Sequence, residues 1–453
     1  MPPADTAPDP GRRRRFALVG TGARAELFTS GITVDHSDVA ELVALADTNP
    51  TRLAAHNRRL EALGVAPVPT YAADDFAAML AKERVDAVVV STVDATHDRY
   101  IVAALDAGCD VIVEKPMTTD EEKCRRVLEA ARRSSGSVTV TFNYRYNPVH
   151  EKVREVLASG AIGEIASVHF EWLLDVRHGA DYFRRWHRDK ANSGGLLVHK
   201  ASHHFDLVNW WLGAEPVGVT ASGRLAFYGP DAGGRHGYAR PYARAHDAPE
   251  ARDDPFALHM AGQPALRELY LDAETHDGYH RDQNVFAPGV SIEDDMAVLV
   301  NYSSGATMTY HLTAYSPWEG YRIGFNGSRG RLEVEVVEND HVSPAVAGEV
   351  KGRSAALHGV EGAAENGWIR VLLRPFWETP AEVPITGHSR HGHGGADSRM
   401  LAALLRPDPP ADPLGRRATE QEGAQALLVG LAANRSIATG QHVRVADLLV
   451  EPS

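Results

Sequence analysis

The chain has 453 residues, 43% apolar and 24% charged, a balance that supplies a globular core and excludes a wholly disordered or collagen-like protein. Its 47 Lys and Arg against 60 Asp and Glu leave a net charge of −13, so the molecule as a whole repels nucleic acid and anionic membranes. No apolar run reaches the roughly 18 residues of a membrane span, and two cysteines, Cys109 and Cys124, are too few for a disulfide framework and suit a reducing cytosol. The 22 histidines are the unusual feature, since they put many titratable groups near neutral pH.

Residues 1–11 are rich in Pro, Asp and Ala and are expected to be a disordered tail. Arg12 to Arg15 resemble an export signal only superficially, because the apolar run after them, Phe16 to Val19, has strand length. From residue 12 to 147, short β-branched runs alternate with helical patterns. The predicted strands are Phe16–Gly20, Glu41–Ala46, Ala87–Ser91, Val111–Glu114 and Val138–Phe142. The predicted helices are Thr51–Leu63, Ala73–Lys82, His97–Ala107 and Thr119–Arg133. This alternation predicts an α/β domain on a parallel sheet covered on both faces.

After Asn147-Pro148 a helix, Val149–Ala158, leads into successive strand patterns: Glu164–Leu174, Ser291–Tyr302, Ala306–Ala314, Tyr321–Phe325 and Arg331–Val337. Strands without intervening helices predict an α+β domain over 148–418 with a largely antiparallel sheet. Residues 229–289 and 343–367 read as insertions. A terminal helix, Glu420–Thr439, within 419–453, is expected to pack back on the first domain.

Gly20-Thr21-Gly22-Ala23-Arg24-Ala25 follows the first strand and fits a dinucleotide loop. Its first glycine turns the chain, the second admits a pyrophosphate, and Ala25 keeps helix and sheet close. Asp47 ends the second strand where ribose hydroxyls would lie, with Thr48, Asn49 and Arg52 beside it. Asp47 would otherwise cap the following helix. A carboxylate accepts from a diol and repels a 2′-phosphate, so NAD is expected over NADP, with Arg52 as the dissenting charge. Glu114-Lys115-Pro116 presents a lysine past the carboxyl end of a strand, where open α/β sheets bind ligands.

These motifs, with Asn143-Tyr144-Arg145-Tyr146-Asn147-Pro148 and Gly194-Gly195 followed by His203, resemble the glucose–fructose oxidoreductase and inositol dehydrogenase family (Gfo/Idh/MocA) over nearly the whole chain after Arg15. The resemblance implies a doubly wound Rossmann domain binding NAD(P) and a second domain with a large open, mainly antiparallel sheet. It implies Lys115 and His203 as the catalytic pair, and places Ser91, Thr92, Asp94, His97, Glu114, Asn143 and Arg145 along the dinucleotide. The family pattern Asp-x-x-x-His is replaced here by His199-Lys200-Ala201-Ser202-His203-His204. A second imidazole does not raise the basicity of His203 as a carboxylate would, so His199 joins the candidate catalytic residues. As helical i,i+4 neighbours the two could chelate zinc, but no completing ligands are identifiable and no metal is assigned.

Candidate substrate residues are Tyr144, Arg177, His178, Tyr182, Trp186, His187, Lys200, His204, Tyr279, Trp318, His391, His393 and Asp397. Aromatic faces with polar neighbours suit a sugar ring. The expectation is a cytoplasmic NAD-dependent oxidoreductase of a sugar or glycoside, in which His203 takes the hydroxyl proton and Lys115 steadies the alkoxide. The alternatives are an NAD-dependent glycoside hydrolase working by transient oxidation, elimination, water addition and re-reduction, and a non-catalytic nucleotide-binding sensor. An open sheet implies a homodimer or homotetramer.

Overall fold

A computed structural model describes residues 12–343, 367–387 and 392–450. The expected tail over 1–11, most of the insertion over 343–367, and His391 lie outside the described residues, as does the side chain of His393. Among the described residues the strands form two sheets, of seven and nine strands.

The first sheet contains β1 (Arg14–Val19), β2 (Ala40–Asp47), β3 (Thr70–Ala72), β4 (Ala87–Val90), β5 (Asp110–Val113) and β6 (Val138–Val140), parallel in the order β6-β5-β4-β1-β2-β3. The short β3 was not foreseen; only its middle residue, Tyr71, is not exposed, so no apolar run announces it. Alternate residues of the sheet build two separate faces. Ala17, Val19, Val88, Val90, Val111 and Val113 pack with the helices Phe76–Lys82, His97–Asp106 and Glu121–Arg133. Phe16, Leu18, Ala87, Val89 and Ile112 pack with Phe28, Ile32, Leu53 and Leu60. That second face is completed by Met400, Leu401 and Leu404 of the helix Gly392–Leu405, which lies within the 148–418 span expected for the second domain. Strand order reverses between β1 and β4, so the crevice outside their carboxyl ends is the topological switch point.

The second sheet contains β7 (Ile165–Asp175), β8 (Pro216–Arg224), β9 (Asp295–Tyr302), β10 (Thr307–Ser316), β11 (Glu319–Gly327), β12 (Gly330–Asn339), β13 (Trp368–Pro375) and β14 (Ala381–Glu382). The terminal pieces β15 (Ala418–Thr419) and β16 (Val443–Arg444) pair antiparallel with β6 of the first sheet and β8 of the second. All pairings in the second sheet are antiparallel except β7 with β10, which is parallel. Val168, Phe170, Trp172 and Leu174 point from β7 into the core, while His169, Leu299, Thr309 and Arg322 stand exposed on the open face. The helix Glu420–Thr439, opened by a capping box of Thr419 and Glu422, touches both halves. Arg435 pairs with Glu121 at 3.0 Å, and the Ser436 hydroxyl accepts the Ala221 amide at 2.9 Å. No described helix is long and apolar enough to cross a membrane.

Candidate active site

The loop after β1 turns at Gly20, whose φ is +90° and where a Cβ would lie 2.6 Å from the Ser91–Thr92 backbone. Only glycine meets both demands, and the turn brings the loops after β1 and β4 together at the switch point; the Ser91 hydroxyl donates to the Gly20 carbonyl at 2.9 Å. Asp47, at the end of β2, accepts the Thr21 amide at 2.6 Å and hydroxyl at 2.8 Å through one oxygen, and the Asn49 amide at 2.8 Å through the other. Helix capping belongs to Asn49, which accepts the Thr51 amide. His56 is buried beneath the loop, with Nε2 3.1 Å from the Thr21 carbonyl, and burial pushes its pKa down to about 4, so the neutral ring donates.

The 229–289 insertion returns over this end, which the sequence did not reveal. Leu258, Met260, Leu266, Leu269 and Tyr270 pack around Ala55 of the helix Pro50–Ala62. Tyr270 Oη accepts the Ala23 amide at 2.9 Å, and Asn49 Nδ2 donates to Ala273 O and to Asp277, each at 2.9 Å. Composition marks an insertion, but where it docks is decided by tertiary geometry. The cradle that a Cβ at Gly20 would fill, the carboxylate at the tip of β2 and the open approach to Gly22, whose nearest neighbour would be Tyr270 Oη at 3.7 Å, fit a dinucleotide.

At the other end of the crevice, β5 delivers Glu114 and Lys115. Lys115 Nζ donates to the His199 carbonyl at 3.2 Å and lies 3.5 Å from His199 Nε2. The other ring nitrogen, Nδ1, is 2.5 Å from Asp94 Oδ2. An ammonium can only donate, so Nε2 is the accepting nitrogen and Nδ1 carries the proton given to Asp94. Burial lowers the Lys115 pKa, against which Asp94 and Glu114 act; it raises Asp94 and lowers His199 strongly. His97 is wholly buried, with Nδ1 2.9 Å from Pro116 O and Nε2 3.2 Å from Thr92 O, and braces the β4 loop against the Lys115 turn. Around His199 stand His187, Tyr182 and Trp186, all edge-on, at ring-centroid distances of 4.2, 5.6 and 6.0 Å.

The histidine cluster does not form one helix. Leu196–His199 and Ser202–Leu212 are separate, broken at Lys200-Ala201, and the side chains diverge. His199 goes to Lys115, while His203 stacks on Tyr144 at 4.4 Å and meets Phe142 edge-on at 5.8 Å. Lys200 is buried, donating to the Tyr144 hydroxyl at 3.2 Å and lying 4.9 Å over the Trp172 ring. His204 is fully buried, stacked on Trp172 at 4.0 Å with Nδ1 2.6 Å from the Tyr310 hydroxyl, which makes it a core residue.

Other expected site residues also find different partners. Arg145 is 1% exposed and directs its guanidinium to Asp206 at 2.6 Å, Glu422 at 2.7 Å and the Gly415 carbonyl at 3.2 Å, so it ties helices together from within the core. Arg24 pairs with Glu114 at 2.6 Å, and Asp397, expected on the substrate, accepts from Asn143 at 2.8 Å and Arg24 at 3.5 Å. Trp318 lies under Arg322, a residue of the open sheet face. Tyr279 packs edge-on to Tyr270 in the insertion. Arg177 and His178 sit in the first turn of the helix Val176–Arg184, capped by Asp175. His178 links Glu319, at 2.8 Å from Nδ1, to the Tyr182 hydroxyl, at 3.2 Å from Nε2. The pairing of Glu319 with His178 is not legible in the sequence, because the two lie 141 positions apart.

Residues 14–142 match the family model for the Gfo/Idh/MocA oxidoreductase NAD-binding Rossmann fold, and residues 154–445 match that for the family's C-terminal alpha/beta domain. The chain belongs to the Gfo/Idh/MocA oxidoreductase family. Its amino-terminal domain, residues 14–142, is an NAD-binding Rossmann domain. This Gfo/Idh/MocA protein is 33% identical to YteT of Bacillus subtilis, named as an oxidoreductase, over 96% of this chain and 98% of the relative. Inositol 2-dehydrogenase of Rhizobium meliloti is 33% identical over 46% of this chain and 58% of its own. In fold it resembles the WlbA dehydrogenase of Bordetella pertussis, solved with NADH and UDP-GlcNAcA (TM-score 0.61, 21% identity, 96% of this chain and 99% of that one).

Proposed function

We propose that this oxidoreductase oxidises a hydroxyl of a sugar or glycoside, with Lys115, His199 and Asp94 carrying away the hydroxyl proton. The observation that carries this reading is the chain Lys115 Nζ–His199 Nε2 at 3.5 Å and His199 Nδ1–Asp94 at 2.5 Å, at the carboxyl ends of β4 and β5. Bound NAD supplies the hydride acceptor. Lys115, its pKa lowered by burial, takes the carbinol proton in its neutral form and hands an N–H to His199 Nε2. His199 Nδ1 passes its proton to Asp94, whose raised pKa suits it to receive one. The role expected of His203 thereby passes to His199, which has a carboxylate behind it. The rings of Tyr182 and Trp186 beside His199 suit the apolar face of a pyranose or cyclitol. The names of the inositol dehydrogenases and of the Escherichia coli D-glucoside 3-dehydrogenase, 29% identical over 45% of this chain, support that substrate class.

A second reading, net glycoside hydrolysis, is favoured by the Tyr182–His178–Glu319 chain, a second acid–base group next to His199. Incubation with aryl glycosides and catalytic NAD separates the two. Steady accumulation of reduced cofactor supports the dehydrogenase; aglycone release with solvent deuterium in the product and no net reduction supports the hydrolase.

A further inference from the structure

We propose that Asp277, carried by the insertion, sets the choice of dinucleotide by neutralising Arg52. Arg52 lies five residues past Asp47, on the first turn of the helix Pro50–Ala62, where a guanidinium would receive a 2′-phosphate. Its side chain is only 11% exposed, and both of its sides are occupied: Nε is 3.6 Å from Asp47, and the terminal nitrogen is paired with Asp277. Asp277 is itself held in place, accepting from Asn49 Nδ2 at 2.9 Å and from the Tyr279 amide at 3.0 Å. The segment that bears it is anchored to the same helix by Glu268, which pairs with Arg58 at 2.6 Å and Arg59 at 3.3 Å.

Two carboxylates around one guanidinium leave a net charge of −1 at the ribose end. A vicinal diol can donate into that environment, whereas a 2′-phosphate meets uncompensated negative charge. The positive charge that the sequence offers an NADP phosphate is thus already taken. Asp277 acts through Arg52 and is a specificity-determining residue, not a catalytic one. The inference rests on dinucleotide binding and not on the sugar chemistry, so binding measured without any sugar separates the two.

The test is equilibrium binding of NAD and NADP to the full chain, by fluorescence titration, for the unaltered protein and for Asp277→Asn, Asp277→Glu, Arg52→Met and the double variant Asp277→Asn/Arg52→Met. The isosteric Asp277→Asn is expected to tighten NADP about tenfold relative to NAD, the scale of one screened charge at close range. Asp277→Glu is expected to keep the original preference, and Arg52→Met in the Asp277→Asn background to cancel the gain. Arg52→Met alone, which takes the local charge from −1 to −2, is expected to weaken NADP about tenfold relative to NAD. An unchanged NAD-to-NADP ratio in folded Asp277→Asn, an equal change for both dinucleotides, or a gain that survives Arg52→Met in the Asp277→Asn background overturns the proposal.

Discussion

At the scale of single residues, the replacement of an aspartate by His199 in an Asp-x-x-x-His pattern is compensated from another strand. Asp94, after β4, supplies the carboxylate, 2.5 Å from His199 Nδ1. If that carboxylate orients the ring and takes its proton, Asp94→Asn lowers kcat by about a hundredfold, within the range of a lost proton-transfer group, with little change in NAD affinity. Its pH profile moves as well. Burial lowers the Lys115 pKa and Asp94 opposes that effect, so removing Asp94 shifts the acidic limb of the oxidation rate, where Lys115 loses its neutral form, to lower pH. A rate measured across pH with both forms checks the sign; an unshifted limb, with rates like the unaltered enzyme, contradicts the role. Lys115 and the departure at His199 were legible in the sequence. Asp94 was legible as a residue near the dinucleotide but not as a partner of His199, because they are 105 positions apart and no periodicity connects them.

At the scale of elements, the glycine loop and the helix ties invite two measurements. His56 is neutral in the fold, with its pKa pushed down to about 4, against about 6.5 in an unfolded chain. The folded form therefore binds a proton more weakly than the unfolded one. The contribution of His56 is complete above about pH 6.5 and is lost as pH falls toward 4, by up to about 3 kcal/mol. The stability gap between the unaltered protein and His56→Gln, from denaturant unfolding, should be largest near neutrality and close on acidification; a pH-independent gap contradicts this. Arg145→Ala leaves Asp206 buried without its partner, and a cost of about 3–5 kcal/mol in the same assay is expected. The double variant Arg145→Met/Asp206→Leu should be milder than Arg145→Ala. Asn-Tyr-Arg in a family motif reads as a dinucleotide contact from sequence alone, and only the arrival of Asp206 and Glu422 from two other helices shows that the arginine is a tie. Strands with continuous apolar runs, such as Val88-Val89-Val90, were legible because burial on both sides dictates their composition. The contact of the insertion with the Pro50–Ala62 helix was not, since its few apolar anchors are spaced irregularly.

At the scale of the whole molecule, the carboxyl-terminal segment binds the two halves: β15 extends the first sheet, β16 the second, and the helix between them touches both. Across the same junction Lys115, after β5, meets His199, with Nζ 3.2 Å from its carbonyl. The open face of the nine-stranded sheet exposes Leu299 among His169, Thr309 and Arg322, a surface suited to an isologous contact. Light scattering on the unaltered chain is expected to give a dimer or tetramer, and Leu299→Arg to weaken it without loss of NAD binding; a monomer at every concentration contradicts the expectation. The most direct measurement of the central claim is single-turnover reduction of bound NAD by a panel of sugars and glycosides, comparing the unaltered enzyme with Lys115→Met. The account predicts cofactor reduction by at least one member of the panel, abolished in Lys115→Met while NAD still binds. Reduction at the original rate in that variant would contradict it.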